Sequence, residues 1–216
     1  MDSGFVRPLV CRCLAVTVMV CAASSAFAEG HGRLFGVLPN YTTVDEPADG
    51  GSSSEAAAIS RTHSFKLASQ SSFDPVVFPY VGFMTALGGN ENYRQRYMRA
   101  FADNSIGNFM TTAVVPSLTN QDPRYFRSGQ GGVFRRMGYA ASRSLVTRKR
   151  SGGSTFNVSE IGGNLAAASL SNLYYGPADR TVGGTVSRWG TQVMWDTVAN
   201  ELKEFWPDIR AKLRKH

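Results

Sequence analysis

The apolar positions of this chain recur with helical spacing from Ala56 to the C-terminal end. Tyr93, Tyr97 and Phe101 stand at i, i+4 and i+8 with arginines between them, as in a helix that buries one face. Gly-Gly, Asp-Pro and Gly-Pro pairs separate such stretches from one another. The pattern predicts helices over residues 56–70, 75–87, 90–115, 133–147, 158–174 and 179–212.

Strand signals are weak by comparison. Alternating β-branched runs bounded by hairpin turns do not stand out, and residues 151–154 (SGGS) have the composition of a linker. The chain is therefore predicted to be all-α, a compact bundle of about five to six helices. A β-barrel does not fit this pattern.

Small residues form stripes on the last two predicted helices. One stripe is Gly162, Ala166 and Ser169, and the other begins with Gly183 and Ser187 and continues through residues 190, 191 and 194. Small side chains let two helix backbones approach closely and make dispersion contacts. We expect Gly/Ala/Ser helix crossings here, and the same faces could support a homo-oligomer.

Stripes of this kind are also frequent in membrane helices, so three arrangements stay open. These are a tightly packed helical domain, a domain associated with a membrane surface, and a set of membrane spans. No stretch after residue 28 reaches the roughly 18 continuous apolar residues that a span needs. The sequence favours the packed domain, then surface association, and favours a span least.

The N-terminal segment predicts export. Arg7 and Arg12 precede an apolar run, and Ala26-Phe27-Ala28 has the form of a signal-peptidase site, so residues 1–28 read as a signal peptide. All three cysteines lie within it, and export without disulfides fits a bacterial periplasm or envelope. Residues 29–56 are rich in Gly, Ser and Pro, which predicts a flexible leader. The range 57–216 is then one helical domain.

A basic segment lies between two uncharged ones. Removing Arg7, Arg12 and Asp2 from 23 basic and 16 acidic residues leaves 21 and 15, a net charge of +6. No acidic residue lies between Asp122 and Glu160. This charge suits an anionic membrane surface or an envelope protein, while export argues against nucleic acid. The candidate contact residues are Arg124, Arg127, Arg135, Arg136, Arg143, Arg148, Lys149 and Arg150.

The predicted helix 133–147 should turn its charges outward. Apolar residues such as Phe134, Met137 and Leu145 can supply a buried side, which leaves Arg135, Arg136 and Arg143 on the exposed one. The segment then presents a basic outer face.

Two loops carry structural candidates. In Asp122-Pro123-Arg124-Tyr125, the Asp side chain can accept from backbone amides of the turn, and Tyr125 can anchor the loop in the core. Asp179, followed by Arg180, is placed to cap the last helix. Both loops are interpreted as turns and caps.

Groups for catalysis are few. The histidines are His31, His63 and His216, and neither a catalytic triad nor a zinc motif can be built from them. A hydrolase acting on cell-wall glycan or lipid could use Glu160, Asp179 or Asp196 as carboxylates. We assign no catalytic residue, no metal ligand and no cofactor, and the sequence favours a non-enzymatic role over this alternative.

Four motifs carry a resemblance. QDPRYFR (121–127), PADRT (177–181), SRWGTQ (187–192) and KEFWPDI (203–209) resemble motifs in a family of uncharacterised exported bacterial proteins. The family has no established activity, so the resemblance implies only an envelope protein with a shared helical core. Together with the basic segment, it predicts a non-enzymatic envelope protein that associates with a membrane surface or an envelope partner.

Overall fold

Helices dominate the fold, as the spacing of apolar residues predicts. The computed structural model describes residues 33–34, 38–45, 58–87 and 92–213. Asn157 caps one helix by accepting from the Glu160 amide, and Ser60 caps another through the His63 amide. The helices are α1 (Arg61–Phe73), α2 (Val77–Leu87), α3 (Tyr93–Asn108), α4 (Val115–Thr119), α5 (Val133–Ser142), α6 (Val158–Ser171) and α7 (Val182–Leu213).

A π-helical segment, Phe109–Val114, joins α3 to α4 without a break. The Val115 amide donates to the carbonyl of Met110, five residues earlier. Pro116 lacks an amide hydrogen, but it lies in the first turn of α4, where none is needed. The predicted helix end near Pro116 therefore moves to Asn120, which adopts a left-handed conformation.

Short strands make the fold less purely helical than predicted. β4 (Gln121–Asp122), β6 (Val146–Lys149) and β7 (Ser154–Phe156) form an antiparallel sheet with β6 in the middle. Gly152 and Gly153 both have positive φ angles and form the turn between β6 and β7. The predicted linker is thus a hairpin turn, and α5 ends at Ser142, where a turn over residues 143–145 leads into β6.

Part of the predicted flexible leader is ordered. β1 (Arg33–Leu34) pairs with β2 (Leu38–Pro39), and β3 (Thr43–Asp45) runs parallel to β5 (Tyr125–Arg127). Val44 is buried, so an apolar side chain secures this segment to the helical body. The predicted signal peptide and the rest of the leader lie outside the described residues.

The crossing of α6 over the π-helical segment uses small residues, although not the predicted ones. α6 packs against α3, the π-helical segment, α4 and α7. A Cβ atom on Gly163 would lie 3.2 Å from the backbone of Met110 and Thr111. Gly163, Ala167 and Ser171 are buried, whereas Ser169 and the stripe on α7 that begins at Gly183 are exposed.

The interior of the described residues is polar to an unusual degree. Its largest fully buried side chains include those of Glu204, Asn164, Ser64 and Ser171, whereas many large apolar side chains are exposed. Buried polar groups must be hydrogen-bonded, so the core is held by specific donors and acceptors as well as by apolar burial. No helix in the described part of the chain is both long and apolar enough to cross a membrane.

Candidate functional site

The helix α5 is turned the opposite way from the prediction. Arg136 and Ala140 are its buried residues, while Met137 is exposed and Phe134 retains 89% of its accessible surface. The arginine that should lie on the outer face therefore lies inside, and the apolar residues lie outside. The predicted basic outer face is wrong for the middle of this helix.

The cause of this orientation is a buried ion pair between α5 and α7. Arg136 Nε donates to Glu204 Oε1 at 2.9 Å, and Arg136 Nη2 donates to the Glu204 backbone carbonyl at 2.6 Å. Arg136 Nη1 also pairs with Asp208 one turn later, and the guanidinium lies over the Phe205 ring at 4.5 Å. One arginine thus holds α5 against α7 through its polar side.

Glu204 is fully buried and its carboxylate is fully surrounded by donors. Besides Arg136, the Tyr125 hydroxyl donates at 2.8 Å, and the amides of Ser128 and Gly129 donate at 3.1 and 2.9 Å. Gly129 has φ +61°, a left-handed conformation that favours glycine and lets the loop fold over the carboxylate. The arrangement satisfies a charge that would otherwise be costly to bury.

The ionisation states follow from these contacts. Burial alone raises the pKa of Glu204, but the hydrogen bonds from Tyr125, Arg136, Gly129 and Ser128 outweigh burial and hold this pKa below its ordinary value. Burial and the hydrogen bond to Glu204 raise the pKa of Tyr125. The carboxylate is ionised and the phenol protonated at neutral pH, so this cluster is an anchor and not an acid–base pair.

The outward side of α5 forms an apolar surface, here named the α5 apolar face. Leu145, just after the helix, is also exposed, and Val146 and Phe156 are exposed partners across the β6–β7 ladder. An exposed apolar patch of this kind marks an interaction site more often than a scattered exposed Leu does. The face consists of Val133, Phe134, Met137, Ala141, Leu145, Val146 and Phe156.

Most of the predicted basic contact residues are engaged within the chain. Arg124 pairs with Asp122 at 2.7 Å and Arg127 with Asp45 at 2.7 Å. Arg148 lies over the Phe126 ring at 4.2 Å and Arg143 over the Tyr139 ring at 5.6 Å.

Arg150 is also held inside the chain, since it donates to the Gln121 carbonyl and to the Ser64 hydroxyl, each at 2.9 Å. Of the eight predicted contact residues, Arg135 and Lys149 are the exposed ones. Both lie in the same segment as the α5 apolar face, within the range that lacks acidic residues.

The predicted turn at Asp122 forms, and the predicted cap at Asp179 does not. Asp122 accepts from the Arg124 amide at 3.0 Å, with Pro123 between them, and Tyr125 is buried. Asp179 instead lies in a 3-10 turn and pairs with Arg99 at 4.0 Å. The last helix begins three residues later, where Thr181 accepts from the Gly184 amide.

Arg180, the other residue of this predicted loop, lies at the surface. Its Nε donates to the Tyr175 carbonyl at 2.7 Å. It therefore joins the loop to the end of α6.

Two of the three carboxylates proposed for hydrolysis meet in space. Asn164 Nδ2 donates to Glu160 Oε1 at 3.1 Å and to Asp196 Oδ2 at 2.9 Å. Burial, the charge of Asp196 and a hydrogen bond with it raise the pKa of Glu160 well above its ordinary value. Burial lowers the pKa of the nearby Lys203, against the charges of Asp196 and Glu160. Asp179 lies apart from this acid pair, in the loop before α7.

Metal and histidine chemistry finds little support among the described residues. They contain no group of three or more His, Cys, Asp or Glu side chains that could hold a metal ion. His63 is exposed on α1, and the other two histidines lie outside the described part of the chain.

Comparison with protein-family models, with curated proteins and with solved structures gives no match for this chain. The resemblance based on the four motifs therefore stays a prediction. Two of those motifs do meet in the structure, because Tyr125 of QDPRYFR donates to Glu204 of KEFWPDI. That pairing of motifs is the one sequence signal that could have identified Glu204 as an anchor.

Proposed function

We propose that this chain is a non-enzymatic envelope protein that associates with an anionic membrane surface through the α5 apolar face. The observation that carries the proposal is the orientation of α5, whose polar side is used to bind Glu204 and whose apolar side is left outward. A short amphipathic helix of this kind lies in the membrane interface, with its apolar side among the acyl chains.

The energy of such an association comes first from apolar burial. Moving an exposed Phe side chain into an apolar environment is worth about 1.5–3 kcal/mol. Phe134 is the most exposed large apolar side chain of the face, so it contributes the largest single term. Val133 and Met137, which are exposed on the same helix, add to it.

The exposed charge on α5 favours anionic lipid. Arg135 is exposed on this helix, and a basic side chain near an anionic surface is worth about 1 kcal/mol. The nearby Asp208 is paired with Arg136, which reduces the repulsion that its charge would exert. The predicted export signal and the net charge of +6 support an envelope location for this contact.

Vesicle sedimentation tests the proposal directly. The chain beginning at Glu29 should be used, because the apolar run of the predicted signal peptide would bind lipid by itself. We expect it to bind phosphatidylcholine vesicles that contain about 30% phosphatidylglycerol more strongly than pure phosphatidylcholine vesicles. Phe134→Ser should weaken this binding by roughly tenfold or more, since about 1.4 kcal/mol corresponds to tenfold.

Leu173→Ser provides the matched control. Leu173 is 77% exposed, so its replacement removes a similar apolar surface. It follows the far end of α6, about 20 Å along the helix axis from Val158 and the β6–β7 hairpin. Equal effects of the two substitutions, or no binding to anionic vesicles at low salt, would contradict the proposal. Binding to an envelope protein in place of lipid would then be the surviving interpretation.

A further inference from the structure

A cavity lies between α3, the π-helical segment, the start of α6 and the middle of α7. Its volume is about 390 Å³, which falls within the range of roughly 300–1,000 Å³ typical of small-molecule sites. Tyr41 and Thr42, just before β3, form part of its wall, so the ordered piece of the leader helps to enclose it. π-helical segments occur often at functional sites, and Thr111 and Thr112 of this one line the cavity.

The acid pair forms one side of the cavity. Glu160 and Asp196 both line it and both accept from Asn164, while Lys203 also lines it and donates to Thr42 at 3.3 Å. Burial and the charge of Asp196 raise the pKa of Glu160 well above its ordinary value, which favours its protonated form, and a carboxylic acid both donates and accepts.

The other walls add groups of the same mixed character. The side chains of Asn104, Asn108 and Asn200 line the cavity, and each amide carries both donors and an acceptor. The Asn104 Nδ2 atom is buried and has no hydrogen-bond partner among the described residues. A buried donor without a partner is costly, and a ligand oxygen would satisfy it.

Aromatic rings stand at one end of this cavity. Tyr80 and Trp195 line both the cavity and an adjoining groove, and Trp195 is 54% exposed. A large ring with one accessible face can pack against the apolar face of a ligand ring.

The charges of the cavity select against ionic ligands. An anion would approach the carboxyl groups of Glu160 and Asp196, and a metal cation would approach Lys203, Arg124 and Arg143, which also line the cavity. The described residues also hold no cluster of metal ligands. An uncharged ligand with several hydroxyl groups fits best, because each hydroxyl both donates and accepts.

We propose that this cavity binds a saccharide ring. Asn104, Asn200 and the Glu160–Asp196 pair would bind its hydroxyl groups, and Trp195 would pack on its apolar face. This site is separate from the α5 apolar face, so either proposal can fail without the other.

Titration of the full chain with saccharides tests the site. The probes are glucose, mannose, N-acetylglucosamine, and the β-1,4-linked disaccharides of glucose and of N-acetylglucosamine. Calorimetry and tryptophan fluorescence measure their binding. We expect at least one to bind saturably with a Kd below about 1 mM, and Trp195→Ala and Asn104→Ala each to weaken that binding by about tenfold.

Gln95→Ala is the control, because Gln95 is exposed on α3 nine residues before Asn104, on roughly the opposite side of the helix. It should leave the Kd unchanged. Far-UV circular dichroism of each variant establishes that it is folded. The absence of saturable binding by every saccharide up to about 10 mM would overturn the proposal. So would folded Asn104→Ala and Trp195→Ala variants that bind the saccharide as tightly as the wild type does.

Discussion

Glu204 determines how α5 sits on the molecule. Its carboxylate binds Tyr125, two loop amides and Arg136, so residues from β5, the following loop and α5 converge on one group of α7. A buried pair of this kind adds little net stability over apolar packing, but removing one partner leaves the other charge buried and unpaired. The role of Glu204 is therefore to specify one arrangement of α5.

Replacing Glu204 by Gln should destabilise the fold by about 3–5 kcal/mol at pH 7, because Arg136 loses its buried counter-charge. The pKa of Glu204 is lowered in the folded state, so its contribution is present above the ordinary carboxyl pKa and is lost as the pH falls through the folded value. The difference in unfolding free energy between wild type and Glu204→Gln should therefore shrink in acid. Urea denaturation at several pH values measures it.

Glu201, one turn earlier on α7, supplies the control. Burial and the charge of Glu204 raise the pKa of Glu201, so its ionised form is not favoured by its surroundings. Glu201→Gln should cost less than about 0.5 kcal/mol or stabilise the protein slightly. If Glu204→Gln and Glu201→Gln lower the free energy of unfolding by similar amounts, the contacts of Glu204 do not stabilise the fold as proposed.

The burial of these charges could not be predicted from local sequence. Arg136 and Glu204 are 68 residues apart, and nothing within either helix shows that the other will be its partner. By contrast, the turn at Asp122 was predictable, because the Asp side chain and Pro123 act within three residues. Thr181, and not Asp179, caps the start of α7, because Asp179 lies in a 3-10 turn that precedes the helix.

At the scale of elements, the sequence predicts that α5 has an apolar side and a polar side, but it does not predict which of the two is buried. The spacing of apolar residues predicts that the apolar side of a helix is buried. It does not show that a buried carboxylate elsewhere in the chain binds an arginine on the polar side, so that the polar side is buried. The predicted small-residue stripe on α6 is correct in kind, but the buried small residues lie one or two positions later in the sequence. Gly152-Gly153 is a signal for the hairpin of β6 and β7, although the composition of residues 151–154 predicts a linker.

The crossing of α6 over the π-helical segment gives a sharp test with adjacent residues. Gly163→Ala should destabilise the protein by about 1–3 kcal/mol, since its Cβ would meet the backbone of Met110 and Thr111 at 3.2 Å. Gly162→Ala meets only a Val158 methyl carbon at 3.4 Å, and it should stabilise by up to about 1 kcal/mol through helix propensity. Thermal and urea unfolding measure both, and the reverse order would contradict the crossing described.

At the scale of the whole molecule, the chain combines a polar interior with apolar patches outside. The interior includes the Glu204 cluster, Asn164 and several buried serines, and the exterior includes the α5 apolar face. Exposed apolar patches of this kind are typical of proteins that contact a membrane or a partner through them. The mostly helical character was predictable from composition and spacing, but which side of each helix faces outward depends on long-range partners.

Site-directed spin labelling of Phe134→Cys tests the central claim most directly. The chain from Glu29 contains no other cysteine, so one nitroxide can be placed on the α5 apolar face and, for comparison, at Leu173→Cys. Electron paramagnetic resonance then measures collisions of each label with oxygen and with a water-soluble nickel complex. On anionic vesicles, the account predicts that the label at position 134 gains contact with oxygen and loses contact with nickel, while the label at position 173 does not change. If the label at position 134 stays as accessible to nickel on vesicles as in solution, the α5 apolar face does not bind the membrane.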